Sequence, residues 1–516
     1  MKYAVNSKQM KQIDDYSVEV CKIPALELME RAANEVVAVM KNRIMIEDRI
    51  LVVCGPGNNG GDGVAAGRIL YLQGYHVAIL FIGYEEKASA SMKVQLERAR
   101  NIGVPLENCN KLHEYNIIID AIFGVGLSRD VSGEYEEIIC NINSSSQIVF
   151  AVDIPSGISA DSGKVMKVAV KADYTITFGY QKLGLLLYPG AEYAGTITVA
   201  DIGFPEEATK QASPDTFYYG PEDLHRLPER KNYSNKGTYG KVLIIAGSKG
   251  MSGAAFLSAK AAYRTGAGLV KVLTSEANRQ IIQTSIPEAL FAAYDEDNLN
   301  EDERQEKLLE ALAWASVVVI GPGIGLSGTA EELVETIIKK AKVPVIIDAD
   351  AITLLSKKMD QKLPGATVKG RLDYLSAYLN DQTILTPHLM ELSRLIGIPV
   401  SEIINNLIDT AHQCSYNNKL IYAIKDARSI VTQGMNTCLN ISGNNGMATG
   451  GSGDVLTGIM AALIAQGMEA YETACLAVYL HGLAGDAAAN EKGVYSLMAS
   501  DIVNSIEKVI RRKGKR

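Results

Sequence analysis

Val52-Val-Cys-Gly-Pro-Gly-Asn-Asn-Gly-Gly-Asp-Gly-Val64 decides the fold of the first half of the chain. The apolar run from residue 50 to Cys54 ends abruptly in glycines, and small apolar residues follow, so the stretch reads as strand, tight loop and helix. Gly55, Gly57 and Gly60 fit the spacing G-x-G-x-x-G of a dinucleotide loop at the first turn of a doubly wound sheet. Asn58, Asn59 and Asp62 are not required by such a loop. Amide oxygens and a carboxylate packed into one turn point to ligand hydroxyls or a hard cation.

Working outward, an amphipathic opening (Met10, Ile13, Leu26, Met29, Ala32, Ala33, Val36, Val37) leads into apolar runs at 50–54, 77–82, 117–122 and 148–154 that alternate with helical stretches. That rhythm predicts a Rossmann-like, doubly wound parallel sheet. Two further strand ends carry carboxylates, Ile119-Asp120-Ala-Ile-Phe-Gly and Ala151-Val-Asp153-Ile-Pro-Ser156. Strand carboxyl ends converge on one crevice, so Asp120, Asp153 and Ser156 are expected to face Asn59. Any one of these Asp residues is explained as readily by capping of the next helix; three loops together favour a site.

Pro205, Pro214, Pro221 and Pro228 break the pattern, which sets the expected boundaries: a first domain 1–212, a connection 213–240 and a second α/β domain 241–516. The second alternation starts at Lys241-Val-Leu-Ile-Ile-Ala-Gly and recurs at 316–320, 343–348 and 383–385, with a helix expected at 254–266 and a polar excursion at 357–382. No internal repeat is visible. The chemistry of this half centres on Thr449-Gly-Gly-Ser-Gly-Asp-Val-Leu-Thr-Gly458. Its glycines turn backbone N–H groups of 450–453 toward a ligand, and Val455 to Ile464 reads as the helix whose positive end they extend. This is a place for a phosphoryl group, with Asp454 placed to take a proton from, or orient, an attacking hydroxyl. A glycine turn capped by Asp454 before a buried helix is the plainer reading.

Composition narrows the class. The chain has 516 residues, 47% hydrophobic and 21% charged, enough to bury sizeable cores. No apolar run approaches the roughly 20 residues of a membrane span, and the opening Met-Lys-Tyr-Ala-Val-Asn-Ser lacks a signal-peptide core. Seven scattered cysteines without a Cys-x-x-Cys pair suit a cytoplasmic protein with reduced thiols. The net charge of −8 argues against a nucleic-acid surface, and the basic tail Arg511, Arg512, Lys513, Lys515, Arg516 reads as a solvated end.

The loops at 58–62, 120–130 and 153–156 together make the stretch from Ile23 to Gly203 resemble the YjeF-type epimerase domain of the bifunctional NAD(P)H-hydrate repair enzymes. The resemblance implies that Asn58, Asn59, Gly60, Gly61 and Asp62, the loop Gly124, Val125, Gly126, Leu127, Ser128, Arg129 and Asp130, and Asp153 hold the hydrated nicotinamide nucleotide. It implies a potassium ion on Asn59, Asp120 and Ser156. Asp153 is the candidate acid/base residue, because interconverting R and S hydrates at ring carbon C6 needs a proton donor and acceptor. Lys182 and Tyr188 also match the family string and are expected only to shape the crevice.

From Lys236 to Glu507 the chain is similar to the partner activity, the ADP- or ATP-dependent hydrate dehydratase of ribokinase-like α/β fold. The matching strings are Lys236-Gly-Thr-Tyr-Gly-Lys-Val-Leu-Ile-Ile-Ala-Gly-Ser, Ser252-Gly-Ala-Ala with Thr265-Gly-Ala-Gly-Leu-Val, Gly321-Pro-Gly-Ile-Gly, and Asn445-Gly-Met-Ala-Thr-Gly-Gly-Ser-Gly-Asp-Val-Leu. They imply a hydrate site at Ala254, Gly323, Gly325, His388 and Asp454. They imply a nucleotide site at Gln433, Gly434, Met435, Asn436 and Thr437, together with Asn444, Asn445, Gly446, Met447, Ala448, Thr449, Gly450, Gly451, Ser452 and Gly453. His388 and Glu391 match a motif lining the hydrate site, although a lone His after Pro is more often a capping residue. Gln433 stands where the family's Lys-Gly-x-x-Thr string has its lysine, which would cost a fixed charge near the nucleotide phosphates. Leu389-Met390 replaces the usual Pro-Gly.

Dehydration needs a better leaving group than hydroxide. Phosphorylating the C6 hydroxyl supplies one, with Asp454 activating the hydroxyl and the amides of 450–453 stabilising the transferred group. Expected partners are NADH and NADPH hydrates, ADP or ATP, Mg²⁺ and a second copy of the chain, with no membrane and no nucleic acid. The alternatives are a ribokinase-like small-molecule kinase that stops at the phosphorylated product, a noncatalytic nucleotide-binding sensor, and an NAD-dependent dehydrogenase carried by G-x-G-x-x-G alone.

Overall fold

The computed structural model describes residues 1–107, 109–295, 301–416 and 419–511; the basic tail beyond Arg511 lies outside them. The chain divides into two compact units, Tyr3–Thr216 and Phe217–Arg516 with Met1–Lys2.

In the first unit, helix Ser7–Glu19 is started by a capping box: Asn6 Oδ1 accepts from Gln9 N at 2.8 Å, and Asn6 N donates to Gln9 Oε1 at 3.1 Å. The strand Arg49–Cys54 is almost wholly buried and feeds helix Asn58–Leu72. A Cβ on Gly67 would meet Val52 Cγ2 at 2.6 Å, so small residues let that helix lie close against its strand. The six-stranded sheet is parallel throughout and runs His76–Phe81, Arg49–Cys54, Ile117–Ala121, Ile148–Val152, Tyr174–Phe178, Thr196–Ala200. The chain reverses its direction across the sheet between Arg49–Cys54 and Ile117–Ala121, and that switch point is where such sheets bind ligands. The strands at 174–178 and 196–200 have no counterpart in the alternation read from sequence.

The second unit has strands in the order Leu290–Ala293, Leu269–Thr274, Lys241–Ile245, Val317–Ile320, Val345–Ile347, Thr383–Leu385, Ile421–Ile424, Ile430–Gln433, Asn436–Leu439. Pairing is parallel as far as Ile421–Ile424 and antiparallel in the last two steps. Its switch point lies between Lys241–Ile245 and Val317–Ile320. Helix Ser252–Thr265, ended by Gly266 at φ 107°, packs on helix Ser452–Ala465, and both bury alanine-rich faces in one apolar core.

Two expectations need revising. The polar stretch 357–382 is not an excursion: it holds the end of helix Asp350–Lys362 and all of helix Val368–Tyr378. Leu372 and Leu375 anchor the latter, and the buried Arg371 bonds Asp360 at 2.8 Å and the Leu395 and Arg394 carbonyls at 2.9 and 2.7 Å. Between Pro205 and Gly240, Tyr219, Leu224 and Leu227 join the core of the second unit. The Asp223 carboxylate there accepts from the chain's own N-terminus at 2.7 and 2.6 Å. Among the described residues no helix is long and apolar enough to cross a membrane.

Candidate functional sites

At the switch point of the first unit, Asp120, next to last in strand Ile117–Ala121, is fully buried and is met by Ser156 from the next loop. Ser156 Oγ donates to Asp120 Oδ1 at 2.6 Å, Ser156 N donates to Oδ2 at 2.8 Å, and Phe123 N donates to Ser156 Oγ at 2.8 Å. Burial pushes the Asp120 carboxyl up to about 6 despite these bonds. Asn59 closes the same corner: the position of a Gly124 Cβ lies 3.2 Å from Asn59 Oδ1. Its Nδ2 is buried with no hydrogen-bond partner among the described residues. Gly124 is thus required to be small.

Asp153 adopts φ 66°, a left-handed backbone that is strained for a residue with a Cβ. Its Oδ1 accepts from Lys182 Nζ at 2.5 Å, Thr177 Oγ1 at 3.1 Å and Phe178 N at 3.2 Å. Lys182 was expected only to shape the crevice, yet it is buried and supplies the counter-charge of the candidate acid/base residue. Two carboxylates share this field. Asp62 is pushed well above the usual range, first by burial, then by Asp153 and Asp14. Asp14, which nothing in the sequence singled out, is pushed to about 6 by burial, with Lys182 opposing and Asp153 adding to it.

In the second unit, Asp454 lies in the first turn of helix Ser452–Ala465, whose cap Gly451 has φ 90° and offers no side-chain bond to the helix amides. The Asp454 carbonyl accepts from Ser258 Oγ at 2.9 Å and Thr457 Oγ1 at 2.8 Å, which fixes that turn. Burial, with Asp348 and then Asp350 beside it, pushes the Asp454 carboxyl up to about 7, while Lys425 pulls the other way. Lys425 Nζ bonds Asp348 Oδ1 at 2.6 Å, and Thr386 Oγ1 donates to the same oxygen at 2.6 Å. A Cβ on Gly453 would come within 3.4 Å of Lys425 Nζ. Burial opposes the lysine's charge, but Asp348 and Glu391 outweigh it and raise its pKa.

The glycine loop is tied back by Asp486, which accepts from Gly443 N at 3.0 Å and Asn444 Nδ2 at 2.9 Å. Ser452 Oγ lies 3.4 Å from Nε2 of His481, whose pKa burial lowers to about 4. On the other rim, Ser248 N donates to Gly323 O at 2.6 Å, Gly325 N to Asp350 Oδ2 at 2.9 Å, and Ala254 Cβ lies 3.0 Å from a Gly323 Cβ position.

His388 is a helix cap: its Nδ1 accepts from Met390 N at 3.1 Å and Glu391 N at 3.2 Å, and Glu391 returns a bond to His388 N at 2.9 Å. Its ring edge stays half exposed, so capping does not take it out of reach of a ligand.

Gln433 needs correcting. Gln433 to Thr437 form the turn of the hairpin Ile430–Gln433 and Asn436–Leu439, and the Gln433 amide donates to Lys419 O at 2.9 Å. The pairing Ile424↔Ile430 and Tyr422↔Thr432 puts that turn at the end of the strand remote from Lys425. At about 3.3 Å per residue the separation exceeds a side chain's length. The lysine that lies by the glycine loop is Lys425, and the segment Gln433, Gly434, Met435, Asn436, Thr437 lies at the other end of the hairpin.

Residues 25–184 match the family of YjeF-related protein N-termini, and residues 242–508 match the NAD(P)H-hydrate dehydratase family. A bifunctional NAD(P)H-hydrate repair enzyme of Thermofilum pendens is 33% identical over 518 residues, which is 98% of this chain and 95% of its own. The chain belongs to the bifunctional NAD(P)H-hydrate repair enzymes. A member of that family from Moorella thermoacetica is also 33% identical, over 99% of this chain and 97% of its own. Among solved structures, a ribokinase-like superfamily protein of Enterococcus faecalis, 28% identical, covers 58% of this chain and 96% of its own at a TM-score of 0.50. Membership in the repair family sets aside the sensor and the dehydrogenase, and the doubly wound first unit and ribokinase-like second unit give each of the two site constellations its own fold.

Proposed function

We propose that the first unit, 1–212, epimerises R and S NAD(P)H hydrates and that the second, 241–516, dehydrates the S hydrate at the expense of ADP or ATP, in the cytoplasm. The observation that carries the second half is Asp454 at the mouth of an uncapped helix, with Lys425 held beside it by Asp348. Amides of 450–453 and the Lys425 ammonium receive the phosphates, and Ala254, Gly323, Gly325 and His388 face the hydrate. Asp454 takes the proton of the C6 hydroxyl as that oxygen attacks the terminal phosphorus. The ring nitrogen lone pair then expels phosphate to leave an N1=C6 iminium, and loss of a C5 proton to the departing phosphate forms C5=C6 and restores the dihydronicotinamide. Mg²⁺ enters with the nucleotide: Asp348 and Glu391 are already engaged by Lys425, Thr386 and His388 N, so they do not form a ready cage for a bare ion.

In the first unit, Asn58–Asp62 and Gly124–Asp130 enclose the hydrate and Asp153 works on its C6 hydroxyl. Potassium suits the corner of Asn59, Asp120 and Ser156. The donors are one carboxylate, a hydroxyl and an amide, and turning the Asn59 amide over would replace its orphaned Nδ2 by an oxygen. Bound there, the ion would offset the buried charge of Asp120 and hold three loops together. The test is to give the protein mixed R and S hydrates with ADP or ATP and follow absorbance of the reduced ring. Full recovery of both forms with release of free phosphate is expected; accumulation of a phosphorylated hydrate would indicate a kinase instead.

A further inference from the structure

Three donors converge on one oxygen of Asp153. Lys182 Nζ reaches Oδ1 at 2.5 Å, Thr177 Oγ1 at 3.1 Å and Phe178 N at 3.2 Å, whereas Oδ2 receives no hydrogen bond among the described residues. A carboxylate oxygen has two lone pairs, so Oδ1 is saturated and Oδ2 is the oxygen left for a ligand. The same edge of the sheet holds the backbone: Asp153 N donates to Ile176 O at 2.7 Å, in the strand Tyr174–Phe178 that supplies Thr177 and Phe178. These bonds keep Asp153 in its left-handed conformation at φ 66°.

Lys182 has nothing to give a ligand. Its three N–H groups are spent on Asp153 Oδ1 at 2.5 Å, Thr177 Oγ1 at 2.9 Å and the Phe178 carbonyl at 3.0 Å. Its side chain is 1% exposed against 11% for Asp153, so a ligand in the crevice meets the carboxylate and not the ammonium. Ala4 and Val5 pair in parallel with Gln181 and Lys182, which fixes the register of the lysine behind the carboxylate.

We propose that Oδ2 of Asp153 is the single atom that moves the proton in epimerisation, and that Lys182 and Thr177 are positioning residues that hold Oδ1 so that Oδ2 stays free for the ring. The proposal rests on the reading of Asp153 as the acid/base residue and deepens it. The hydrate is a cyclic hemiaminal with its hydroxyl oxygen and N1 on the same carbon, so one carboxylate oxygen can serve both. Oδ2 takes the hydroxyl proton, the electron pair of the C6–N1 bond moves to N1 as C6=O forms, and the proton passes from Oδ2 to N1. Rotation about C5–C6 presents the other face of the aldehyde. N1 then attacks C6, the C6=O pair returns to oxygen, and Oδ2 carries the proton from N1 back to that oxygen. One proton is moved and returned, and no atom or electron is gained or lost.

The test compares full-length variants by initial rates of R to S conversion above the uncatalysed rate. Thr177→Val keeps the volume and deletes the hydroxyl; it is expected to lower kcat about 10-fold with KM for the hydrate unchanged, and Thr177→Ser to restore the rate. Lys182→Met is expected to lower kcat about 100-fold, again at constant KM, as a charged hydrogen bond to Oδ1 is lost. If Lys182→Met does not fold, the Thr177 pair decides alone. In crystals of Asp153→Asn with the hydrate, the C6 oxygen is expected within hydrogen-bond distance of the side-chain atom remote from Lys182. Parental kcat in Thr177→Val, a rise in KM in place of the fall in kcat, no recovery in Thr177→Ser, or a C6 oxygen seated on the atom bonded to Lys182 overturns the proposal. Asp153→Asn assayed in parallel separates the two levels: a parental rate there removes the base itself, whereas a lost rate there with a parental Thr177→Val removes only the positioning.

Discussion

Lys425 Nζ stands 2.6 Å from Asp348 Oδ1, each residue directly following its strand, Ile421–Ile424 and Val345–Ile347, beside Gly453 at the start of helix Ser452–Ala465. A largely buried ammonium held by a carboxylate beside an uncapped helix start suits a phosphate group, and its position is set by the ends of the two strands that flank Thr383–Leu385. Lys425→Ala is therefore expected to raise KM for ADP or ATP about 10- to 100-fold, the range for losing a charged hydrogen bond. Gln433→Ala, at the far end of the hairpin, is expected to leave it unchanged. Steady-state dehydration of the S hydrate over a nucleotide series measures both; a large effect at 433 and none at 425 would reverse the assignment.

The carboxyl of Asp454, pushed to about 7 by burial and then by Asp348, gives a signed pH prediction. A base must be ionised, so dehydration is expected to rise with pH through about 7. Asp348→Asn removes a like charge and should move that limb to lower pH. Stability runs the opposite way. A carboxyl whose folded value lies above its unfolded one costs nothing below the unfolded value, and its cost grows until pH passes the folded value. Asp454→Asn is thus expected to be more thermostable than the parent at pH 8 but not at pH 3, while losing about 10²- to 10⁴-fold in dehydration rate. Melting curves at the two pH values, paired with an intact epimerase rate, check it.

Much of this was legible in the sequence, for a definite reason. The switch-point loops are contiguous strings in which strand, glycines and polar residues lie together, so the grouping of Asn59, Asp120 and Ser156 and the place of Asp454 at a helix start could be read along the chain. Lys182 and Asp14 could not. The place of Lys182 depends on its pairing with Val5 across a separation that no local pattern encodes, and Asp14 looks like any polar residue on an amphipathic helix. Lys425 was missed through register: a glycine and a threonine follow Gln433 at the spacing of the family string, and only the antiparallel pairing of Ile424 with Ile430 reveals that a lysine just past the previous strand lies at the opposite end of the hairpin from Gln433. Helix Val368–Tyr378 was lost because few apolar residues, Leu372 and Leu375 among them, carry its burial.

Asp486 ties back the approach to the glycine loop through Gly443 N and Asn444 Nδ2, at 3.0 and 2.9 Å. Asp486→Ala frees both donors and loosens the approach to Asn445–Met447 without removing any group proposed to contact phosphate. The expected result is a higher KM for nucleotide, about 10-fold on the energy of one or two such bonds, with kcat at saturation preserved. A fall in kcat at constant KM would mean that the loop acts in the chemistry and not in nucleotide capture.

The corner of Asn59, Asp120 and Ser156 makes the final prediction. Asp120 is buried with no cationic side chain bonded to it among the described residues, its carboxyl pushed to about 6 by burial, and Ser156 both bonds it and accepts from Phe123 N. If a monovalent cation offsets that charge, exchanging potassium for a large organic cation should lower the melting temperature of the first unit and slow epimerisation, and restoring potassium should reverse both. Ser156→Ala removes one donor and should weaken the potassium response. Asp120→Asn removes the charge that makes the ion worth binding, so its melting temperature should no longer respond to potassium at all. A response undiminished in Asp120→Asn would place the ion elsewhere in the chain.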